Sequence, residues 1–338
     1  MNKKRMNYIF IIVEIILSFI FRSKKSASEV ENYEEWLQIQ MGNYFAKKYP
    51  MKYTKKYWCI EAKELETKWI GNRIYSPSFW EIFVGAFWPI KKNFYYGKNM
   101  RYPQKGGFWS FFEPFTKDLN IKLNKEVSNI DIIDKRIIFM DGTEECYDKL
   151  ISSIPLTEYS KLITNIPLNV DEACKDLLYT SGYIVSLGIK GNLNLKNCLW
   201  FYVYDEDKPF ARVYVCSKKS PQNAPNGYTA IQAEIYFLNE YKRNFDMSIL
   251  KNKTIDSLIK MDLFKKNQIL VSDIRYEKYA NVVFKKDIYK KREIILDFLN
   301  KSNIIPIGRF GKWEYFWSDQ TWLDSKKIAQ LLNKKEHI

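Results

Sequence analysis

Apolar and polar residues alternate with period two in several stretches of the chain, which is the pattern of half-buried β-strands. Between Arg136–Met140 and Glu144–Tyr147, the pair Asp141-Gly142 predicts a hairpin turn. Two further runs do not alternate. Leu150–Pro155 predicts a buried strand that leaves a sheet, and the apolar run Ile304–Ile307 predicts another strand. The other predicted strands are Ile121–Ile133, Tyr183–Gly188, Leu199–Tyr204, Phe210–Val215, Tyr228–Tyr236 and Ile269–Tyr276.

Helical spacing of apolar residues occurs before, between and after these strands. Near the start, Trp36, Ile39, Gly42 and Phe45 recur at intervals of three residues, close to one face of a helix. Internal repeats and low-complexity tracts are absent from the sequence. We therefore expect a mixed α/β fold without a long linker. The remaining predicted helices are Ala173–Leu178, Leu250–Phe264, Asp287–Lys301 and Trp322–Leu332.

Residues 8–21 are almost wholly apolar, with basic residues on either side. The run is shorter than the roughly 20 residues that a membrane-spanning helix needs, and Glu14 lies at its centre. A buried helix of the globular domain, a membrane-associated helix and a signal peptide are three interpretations of this segment. The buried helix is favoured, because no small-residue cleavage site follows convincingly.

The chain has 338 residues, of which 46% are hydrophobic and 17% aromatic. This composition favours a globular fold with a thick core or a large pocket. The net charge of +15 indicates either an anionic partner or lysines scattered for solubility, and the even spread of lysines favours the second. Aromatic residues do alternate with lysines over residues 47–58, but pocket-wall or helix packing is favoured there over nucleic-acid binding.

Cysteine and histidine usage excludes several kinds of chemistry. The five cysteines are far apart, form no C-x-x-C pair and are odd in number. A disulfide framework or zinc site is therefore disfavoured, and a reducing, cytoplasmic compartment is expected. The one histidine is His337, so Ser-His-Asp and Cys-His mechanisms are disfavoured and no metal site is expected.

The stretch Gly308–Gln320 combines two close glycines, an aromatic cluster and an acidic residue between a predicted strand and a predicted helix. Such an order brings backbone N–H groups and a helix start together, which suits a phosphate or a polyol chain. Trp313, Tyr315 and Trp317 alternate and are predicted to line one face of a strand, as pocket wall or as core. Asp319 is interpreted either as a helix N-cap or as a ligand contact.

This stretch resembles the C-terminal flavin-contacting segment of FAD-dependent amine oxidases, protoporphyrinogen oxidases and UDP-galactopyranose mutases. Residues 33–74 resemble the helical substrate-domain segment of that group, and 102–109 resemble its Tyr-Pro-x-Gly-Gly turn with one added residue, Lys105. Residues 123–156 resemble its β-meander and the return to the central sheet. The resemblance covers residues of about 30 to 330.

The resemblance implies a partial two-dinucleotide-binding-domain flavoprotein fold, in which an FAD-domain remnant is interleaved with a mixed-sheet and helical substrate domain. Residues 1–100 would be the helical part of the substrate domain, and 101–155 the FAD-domain part with the Gly-Gly turn and β-meander. Residues 156–301 would form the rest of the substrate domain, and 302–338 the C-terminal FAD-contacting strand, turn and helix.

The same resemblance implies which residues contact FAD and substrate. Gly308, Arg309 and Gly311 would flank the pyrophosphate and ribityl region. Asp319, Gln320 and Thr321 would hold ribityl hydroxyls or begin the last helix, and the backbone at Val127 would border the adenine. No catalytic residue is assigned. The candidates for a substrate pocket are Tyr53, Trp58, Tyr102, Gly106, Gly107, Trp313 and Tyr315.

A nucleotide-binding βαβ unit is not visible in the sequence. None of the 13 glycines forms G-x-G-x-x-G, the loop that binds pyrophosphate in such flavoproteins. The chain is interpreted as the C-terminal part of a broken gene, as the partner of a second chain that supplies the unit, or as a protein that has lost FAD. The first two interpretations are favoured.

The functional prediction is an FAD-dependent oxidoreductase-like protein acting on a small molecule, incomplete for FAD binding on its own. One alternative is an FAD-dependent UDP-sugar mutase, whose anionic substrate would suit the positive charge. The other is a non-catalytic or membrane-associated protein on a degenerate flavoprotein scaffold. A cytoplasmic location is expected, with peripheral membrane contact through residues 8–21 as the alternative.

Overall fold

A computed structural model describes residues 12–14, 16–17, 25, 27–71, 73–74, 78–88, 101–195, 198–239 and 246–335. Most of the apolar segment 8–21, with its three interpretations, lies outside these residues, and so does His337. Within the described ranges, every helix is too short or too polar to cross a bilayer.

The described residues form both helices and strands, in agreement with the predicted mixed α/β class. The strands are β1 (Val127–Asp131), β2 (Arg136–Phe139), β3 (Glu144–Cys146), β4 (Leu150–Ser152), β5 (Tyr179–Lys190), β6 (Trp200–Tyr202), β7 (Arg212–Val215), β8 (Tyr228–Leu238), β9 (Ile269–Val282) and β10 (Ile304–Pro306). The helices are α1 (Tyr33–Met41), α2 (Asn43–Lys48), α3 (Pro50–Tyr57), α4 (Phe79–Phe87), α5 (Glu113–Thr116), α6 (Tyr159–Leu162), α7 (Leu168–Asp176), α8 (Cys216–Lys219), α9 (Met247–Lys260), α10 (Ile288–Lys301), α11 (Gly308–Gly311) and α12 (Ser318–Lys335).

Two compact units share these elements. The first consists of Met1–Asp118 and Thr180–Asn281, and the second of Leu119–Tyr179 and Val282–Ile338. The chain passes from the first unit to the second after Asp118 and returns to the first at the start of β5. It enters the second unit again at the end of β9. The assignment of parts of the chain to flavin and substrate stays a prediction.

A five-stranded sheet in the order β6-β7-β8-β5-β9 forms the centre of the first unit. Strands β5 and β8 pair antiparallel over eleven register positions, from Thr180 opposite Leu238 to Lys190 opposite Tyr228. The apolar positions of the predicted alternation, such as Val185 and Ala233, lie in a buried core with Leu258 of α9. Burial of one face explains the period of two, because successive side chains of a strand point to opposite sides.

Aromatic side chains form the core under the N-terminal helices of the same unit. The ring of Tyr33 lies 5.1 Å from Trp69 and 5.9 Å from Trp36, centroid to centroid. Helix α1 begins where Asn32 accepts a hydrogen bond from the Glu35 backbone N–H, which satisfies one donor of the first turn.

The second unit contains an antiparallel meander, β1-β2-β3, and a parallel pair, β4 and β10. The predicted hairpin is present: Gly142 has φ +79°, and Asp141 accepts from the Thr143 N–H at 3.0 Å. Helices α7 and α10 pack together through buried faces that include Cys174 and Ile295. The two helices also share an ion pair, in which Lys291 Nζ lies 2.7 Å from Asp176 Oδ2.

Candidate functional site

The carboxyl ends of β4 and β10 lie at one edge of the second unit. Leu150 to Ser152 stand opposite Ile304 to Pro306 in parallel register, and the Ile307 N–H donates to the Ser152 carbonyl at 2.9 Å. In open α/β sheets, ligands bind outside the carboxyl ends of the parallel strands. The stretch Gly308–Gln320 begins at such an edge.

Glycine is favoured at two positions of this stretch for different structural reasons. Gly308 follows β10 with φ +78°, a conformation that costs little only for glycine. At Gly311, a Cβ atom would lie 3.0 Å from the Ser152 carbonyl oxygen and 3.3 Å from Ser153 Cα. Helix α11 therefore packs directly on the chain that leaves β4.

Helix α11 ends in a Schellman motif that places a tryptophan where glycine is usual. The Glu314 N–H donates to the Arg309 carbonyl at 2.9 Å, and Trp313 between them has φ +53°. The Trp313 side chain is fully buried, and its indole N–H has no hydrogen-bond partner among the residues that the structure describes. Positive φ in a bulky residue and an orphaned donor are both unfavourable, so this turn is strained.

This turn corrects one prediction. Residues 314–317 form no strand or helix, so the alternation of Trp313, Tyr315 and Trp317 does not define a strand face. The Schellman turn redirects the chain instead. Trp313 is a core residue against Tyr179 and Phe310, with ring centroids 6.3 and 5.9 Å away.

Arg309 forms no ion pair with a carboxylate among the described residues. Its Nε donates to the Phe316 carbonyl at 2.7 Å, and its guanidinium carbon lies 5.4 Å from the Tyr315 ring centroid. The nearby Lys312, in contrast, is paired with Asp324 at 2.7 Å. Arg309 is thus held in place by its neighbours, while its two terminal nitrogens stay available to an anion.

The start of α12 adjoins this turn. Gln320 Oε1 accepts from the Trp317 N–H at 3.0 Å, so Gln320 helps to cap the helix. Asp319 lies inside the first helical turn and is exposed, which rules out its interpretation as the N-cap. A Cβ at Gly308 would lie 3.8 Å from Thr321 Cγ2. As in any helix, the N–H groups of the first turn have no intrahelical acceptor.

Val127, which is predicted to border the adenine of FAD, belongs to a different sheet from the strands beside this stretch. Val127 opens β1 in the antiparallel meander, opposite Phe139, whereas Gly308 follows the parallel pair. The structure brings Gly308, Arg309, Gly311, Gln320 and Thr321 together. Their roles toward a cofactor stay predictions.

The substrate-pocket candidates of the first unit have different surroundings. Trp58 is buried among Trp69, Tyr57 and Tyr33 and packs as a core residue. Tyr53 lies against Tyr202 of β6, with ring centroids 4.8 Å apart. Burial raises the pKa of Tyr53 well above its usual value, so its hydroxyl keeps its proton.

The sheet face opposite the core carries polar groups that the sequence analysis missed. Glu234 of β8 accepts from Arg212 Nε and Nη2 of β7 at 2.8 and 3.0 Å, and the Tyr236 hydroxyl donates to it at 2.6 Å. Burial, helped by the Glu234 carboxylate, raises the pKa of Tyr236 well above its usual value. Period-two alternation of Gln232, Glu234 and Tyr236 within a predicted strand is the signal that could have revealed this face.

The glycine turn of residues 102–107 packs beside α8 in the same unit. Gly106 and Gly107 have φ +80° and +67°, and Ser220 after α8 donates to the Gln104 carbonyl. Tyr102 lies 4.9 Å from the ammonium of Lys219, which ends α8. The predicted turn is therefore real, and it brings Tyr102 to a lysine that the sequence pattern did not reveal.

Comparison with solved structures agrees with the predicted fold. Reduced UDP-galactopyranose mutase matches with a TM-score of 0.77 at 20% identity over 90% of this chain. A protoporphyrinogen oxidase-like protein from Exiguobacterium sp. 255-15 matches with a TM-score of 0.66 at 13% identity over 96% of this chain and 72% of its own. A fatty acid isomerase from P. acnes that produces CLA matches with a TM-score of 0.55 at 12% identity over 96% of this chain and 74% of its own.

No family model matches the sequence. The chain spans 66% of the length of the mutase chain that it matches. These identities are low, so the similarity establishes the fold and not the activity. The chain adopts the fold shared by these proteins.

Proposed function

We propose that the chain forms the flavin-contacting and substrate-contacting parts of an FAD-dependent oxidoreductase. The observation that carries this proposal is the arrangement at the carboxyl edge of the β4–β10 pair. There Gly308 and Arg309 lie beside the start of α12, and Arg309 forms no ion pair with a described carboxylate. A phosphate or a hydroxyl chain is the ligand that such groups recognise.

The residues present fit one end of FAD. Gly308 lets the backbone approach closely, Arg309 supplies unpaired charge, and the exposed Asp319 carboxylate can accept from ribityl hydroxyls. Asp324 of α12 has a buried carboxylate oxygen, Oδ2, that accepts no hydrogen bond from a described residue, and it is a further acceptor beside Lys312. The adenosine end would need a glycine-rich loop, and the sequence contains no G-x-G-x-x-G. When bound, FAD would supply the redox chemistry, while the protein orients it and excludes water.

We further propose that a separate polypeptide with a nucleotide-binding βαβ unit completes the sheet at the outer edge of β4. Leu150 and Ser152 bond to the β10 side, because the Leu150 N–H donates to Asn303 and the Ser152 carbonyl accepts from Ile307. The intervening Ile151 therefore directs its N–H and carbonyl away from β10. Pro306 has no N–H to offer on the outer edge of β10, so β4 is the better edge for a new strand.

Exposure of Ile151 indicates an uncovered face of the same small sheet. Its side chain is 48% exposed, whereas strands of parallel sheets are normally covered on both faces. A two-stranded parallel sheet is also small for a stable element. The chain covers 66% of the mutase chain, so about a third of that chain has no counterpart in it.

Amide hydrogen exchange tests the strand addition. In the chain alone, the Ile151 amide should exchange quickly, while the Leu150 amide is protected by its bond to Asn303. Addition of a separate polypeptide that carries a nucleotide-binding βαβ unit should slow exchange at Ile151 and leave Leu150 unchanged. Equal exchange at Ile151 with and without a bound partner would refute the β4 edge.

A UDP-sugar mutase is the second candidate function. The mutase structure matches this chain with a TM-score of 0.77, and the net charge of +15 would suit an anionic substrate. Anaerobic mixing of the FAD-loaded complex with candidate substrates separates the two. Bleaching of the flavin spectrum by an amine or a porphyrinogen would favour the oxidoreductase. Interconversion of a UDP-sugar, with the flavin returned to its starting state after each turnover, would favour the mutase. A complex that stays colourless with FAD would favour the non-catalytic scaffold.

A further inference from the structure

Strand β9 stands at one side of the five-stranded sheet and is the longest of its described strands. It runs from Ile269 to Val282, and its neighbour in the sheet is β5. Within the described ranges, no strand pairs with its other side. The outward N–H and C=O groups of a long strand in this position form a template on which a further strand can be added.

The part of β9 from Leu270 to Lys278 has a symmetric pattern of exposure. The four residues on either side of Ile274 are exposed, whereas Ile274 is partly buried and packs against the core of the sheet. Leu270 and Val271 are 57% and 63% exposed, although burial stabilises such side chains. This stretch therefore combines an extended backbone with apolar surface that a second strand would cover.

Two charged side chains flank Ile274. Asp273 and Arg275 are two positions apart along the strand, so both lie on the face opposite the core that Ile274 contacts. Asp273 Oδ2 is 3.0 Å from Arg275 Nε, and the two side chains are 52% and 79% exposed. Most of the Arg275 side chain is thus accessible to a second carboxylate.

The order of these two charges is complementary to itself when the strand is reversed. In an antiparallel pair of identical strands centred on Ile274, Asp273 of each copy lies opposite Arg275 of the other. Opposite charges in such cross-strand positions stabilise a sheet, and like charges destabilise it. The neighbouring registers are unfavourable, because a pair centred on Asp273 brings two aspartates together. A pair centred on Arg275 brings two arginines together and places Asp273 opposite Glu277.

Charged side chains on an outer strand usually prevent it from pairing with another copy of the protein. Charges of a single sign would repel one another in every register. The signs at residues 273 and 275 differ, so repulsion disfavours the two neighbouring registers while the register centred on Ile274 stays favourable. Charge used in this way specifies a partner rather than excluding all partners.

We propose that two copies of the chain associate by antiparallel pairing of their β9 strands, centred on Ile274. The two five-stranded sheets then join into one continuous sheet, and the Asp273–Arg275 pairs of both copies form a cluster of four alternating charges. Val271 of each copy lies opposite Glu277 of the other, which covers part of its apolar surface. The contact involves neither flavin nor the βαβ polypeptide, so this inference goes beyond the proposed function.

Sedimentation velocity of the full chain over a range of concentrations tests the proposal, with no FAD and no second polypeptide present. We expect a monomer–dimer equilibrium. D273R places like charges opposite each other at two points, and so does R275D, so each should raise the dimer dissociation constant roughly tenfold or more. The double variant D273R/R275D restores opposite charges at both points and should dimerise like the unmodified chain.

A mixture of the two single variants tests the register itself. A D273R copy has arginine at both positions and an R275D copy has aspartate at both, so the mixture should dimerise more tightly than either variant by itself. K290E is the matched control, because it makes the same change of charge as R275D at an exposed lysine of α10 in the second unit. It should leave the dissociation constant unchanged. D273K and R275E replace any variant whose circular dichroism spectrum shows a loss of structure.

A chain that stays monomeric at every accessible concentration would overturn the proposal. Two further results would also do so: a dimer of equal affinity in D273R, R275D and the unmodified chain, or a mixture of the variants no more dimeric than its components. None of these measurements uses flavin, so a failure of FAD binding would leave the dimer result interpretable, and the reverse holds as well.

Discussion

Gly311 and Ser152 lie so close that a methyl group at residue 311 would stand 3.0 Å from the Ser152 carbonyl oxygen. This contact seats α11 on the chain that leaves β4. G311A should destabilise the fold by about 1–3 kcal/mol, the usual cost of overpacking, measured by urea denaturation. Gly142 has no atom within 4 Å of its Cβ position, so G142A reports only the cost of positive φ, about 1 kcal/mol. A G311A chain as stable as the unmodified one would contradict the close packing.

Trp313 should tolerate loss of its indole N–H. W313F keeps a large ring in the core and removes a buried donor that no described residue pairs with. An unsatisfied buried donor costs about 1–3 kcal/mol of stability. Its removal should therefore offset most of the stability that is lost because Phe buries less apolar surface than Trp. W313A, which empties the site, should lose about 3–5 kcal/mol. A large loss for W313F in thermal unfolding would mean that the N–H has a partner in solution.

The ion pair between Arg212 and Glu234 should show strong coupling. E234L leaves the half-buried Arg212 and Tyr236 without their acceptor, so we expect a loss of about 3 kcal/mol. R212M combined with E234L should cost less than the sum of the two single changes. Denaturation of all four proteins gives this double-mutant cycle. Additive effects would show that the pair contributes little.

Buried thiols should make the fold sensitive to alkali. Burial raises the pKa of Cys174 from 9.0 to about 12. Above pH 9 the unfolded chain loses this proton while the folded chain keeps it, so stability is full below pH 9 and falls as the pH rises toward 12. C174A should reduce this decline, and C146A, at an exposed cysteine, should not. Equal pH profiles for the two variants would exclude Cys174 as the cause.

The sequence patterns predicted the long regular elements well. The charged helix predicted at Asp287–Lys301 is observed as Ile288–Lys301, and the strand predicted at Tyr228–Tyr236 as Tyr228–Leu238. Both bury one face against a core, so burial imposes its period on the residues. The strand predicted at Ile269–Tyr276 continues to Val282.

The site was less predictable, because its contacts are local turns and pairs distant in sequence. Trp313 occupies a position that usually holds glycine or asparagine, so no residue preference indicated the Schellman turn. Lys219 ends a helix of four residues, too short to give a period. It meets Tyr102 only through the fold, and a single sequence carries no signal for such a pair.

In the proposed complex, this chain holds one end of FAD and a separate βαβ unit holds the other. The most direct measurement is an FAD titration, read from the flavin absorption spectrum, of the chain purified with a polypeptide that carries a nucleotide-binding βαβ unit and of the chain alone. We expect stoichiometric FAD in the complex, little in the isolated chain, and roughly tenfold weaker binding with R309M, the loss of one charge-assisted contact. A well-folded complex that stays colourless at saturating FAD would contradict the claim.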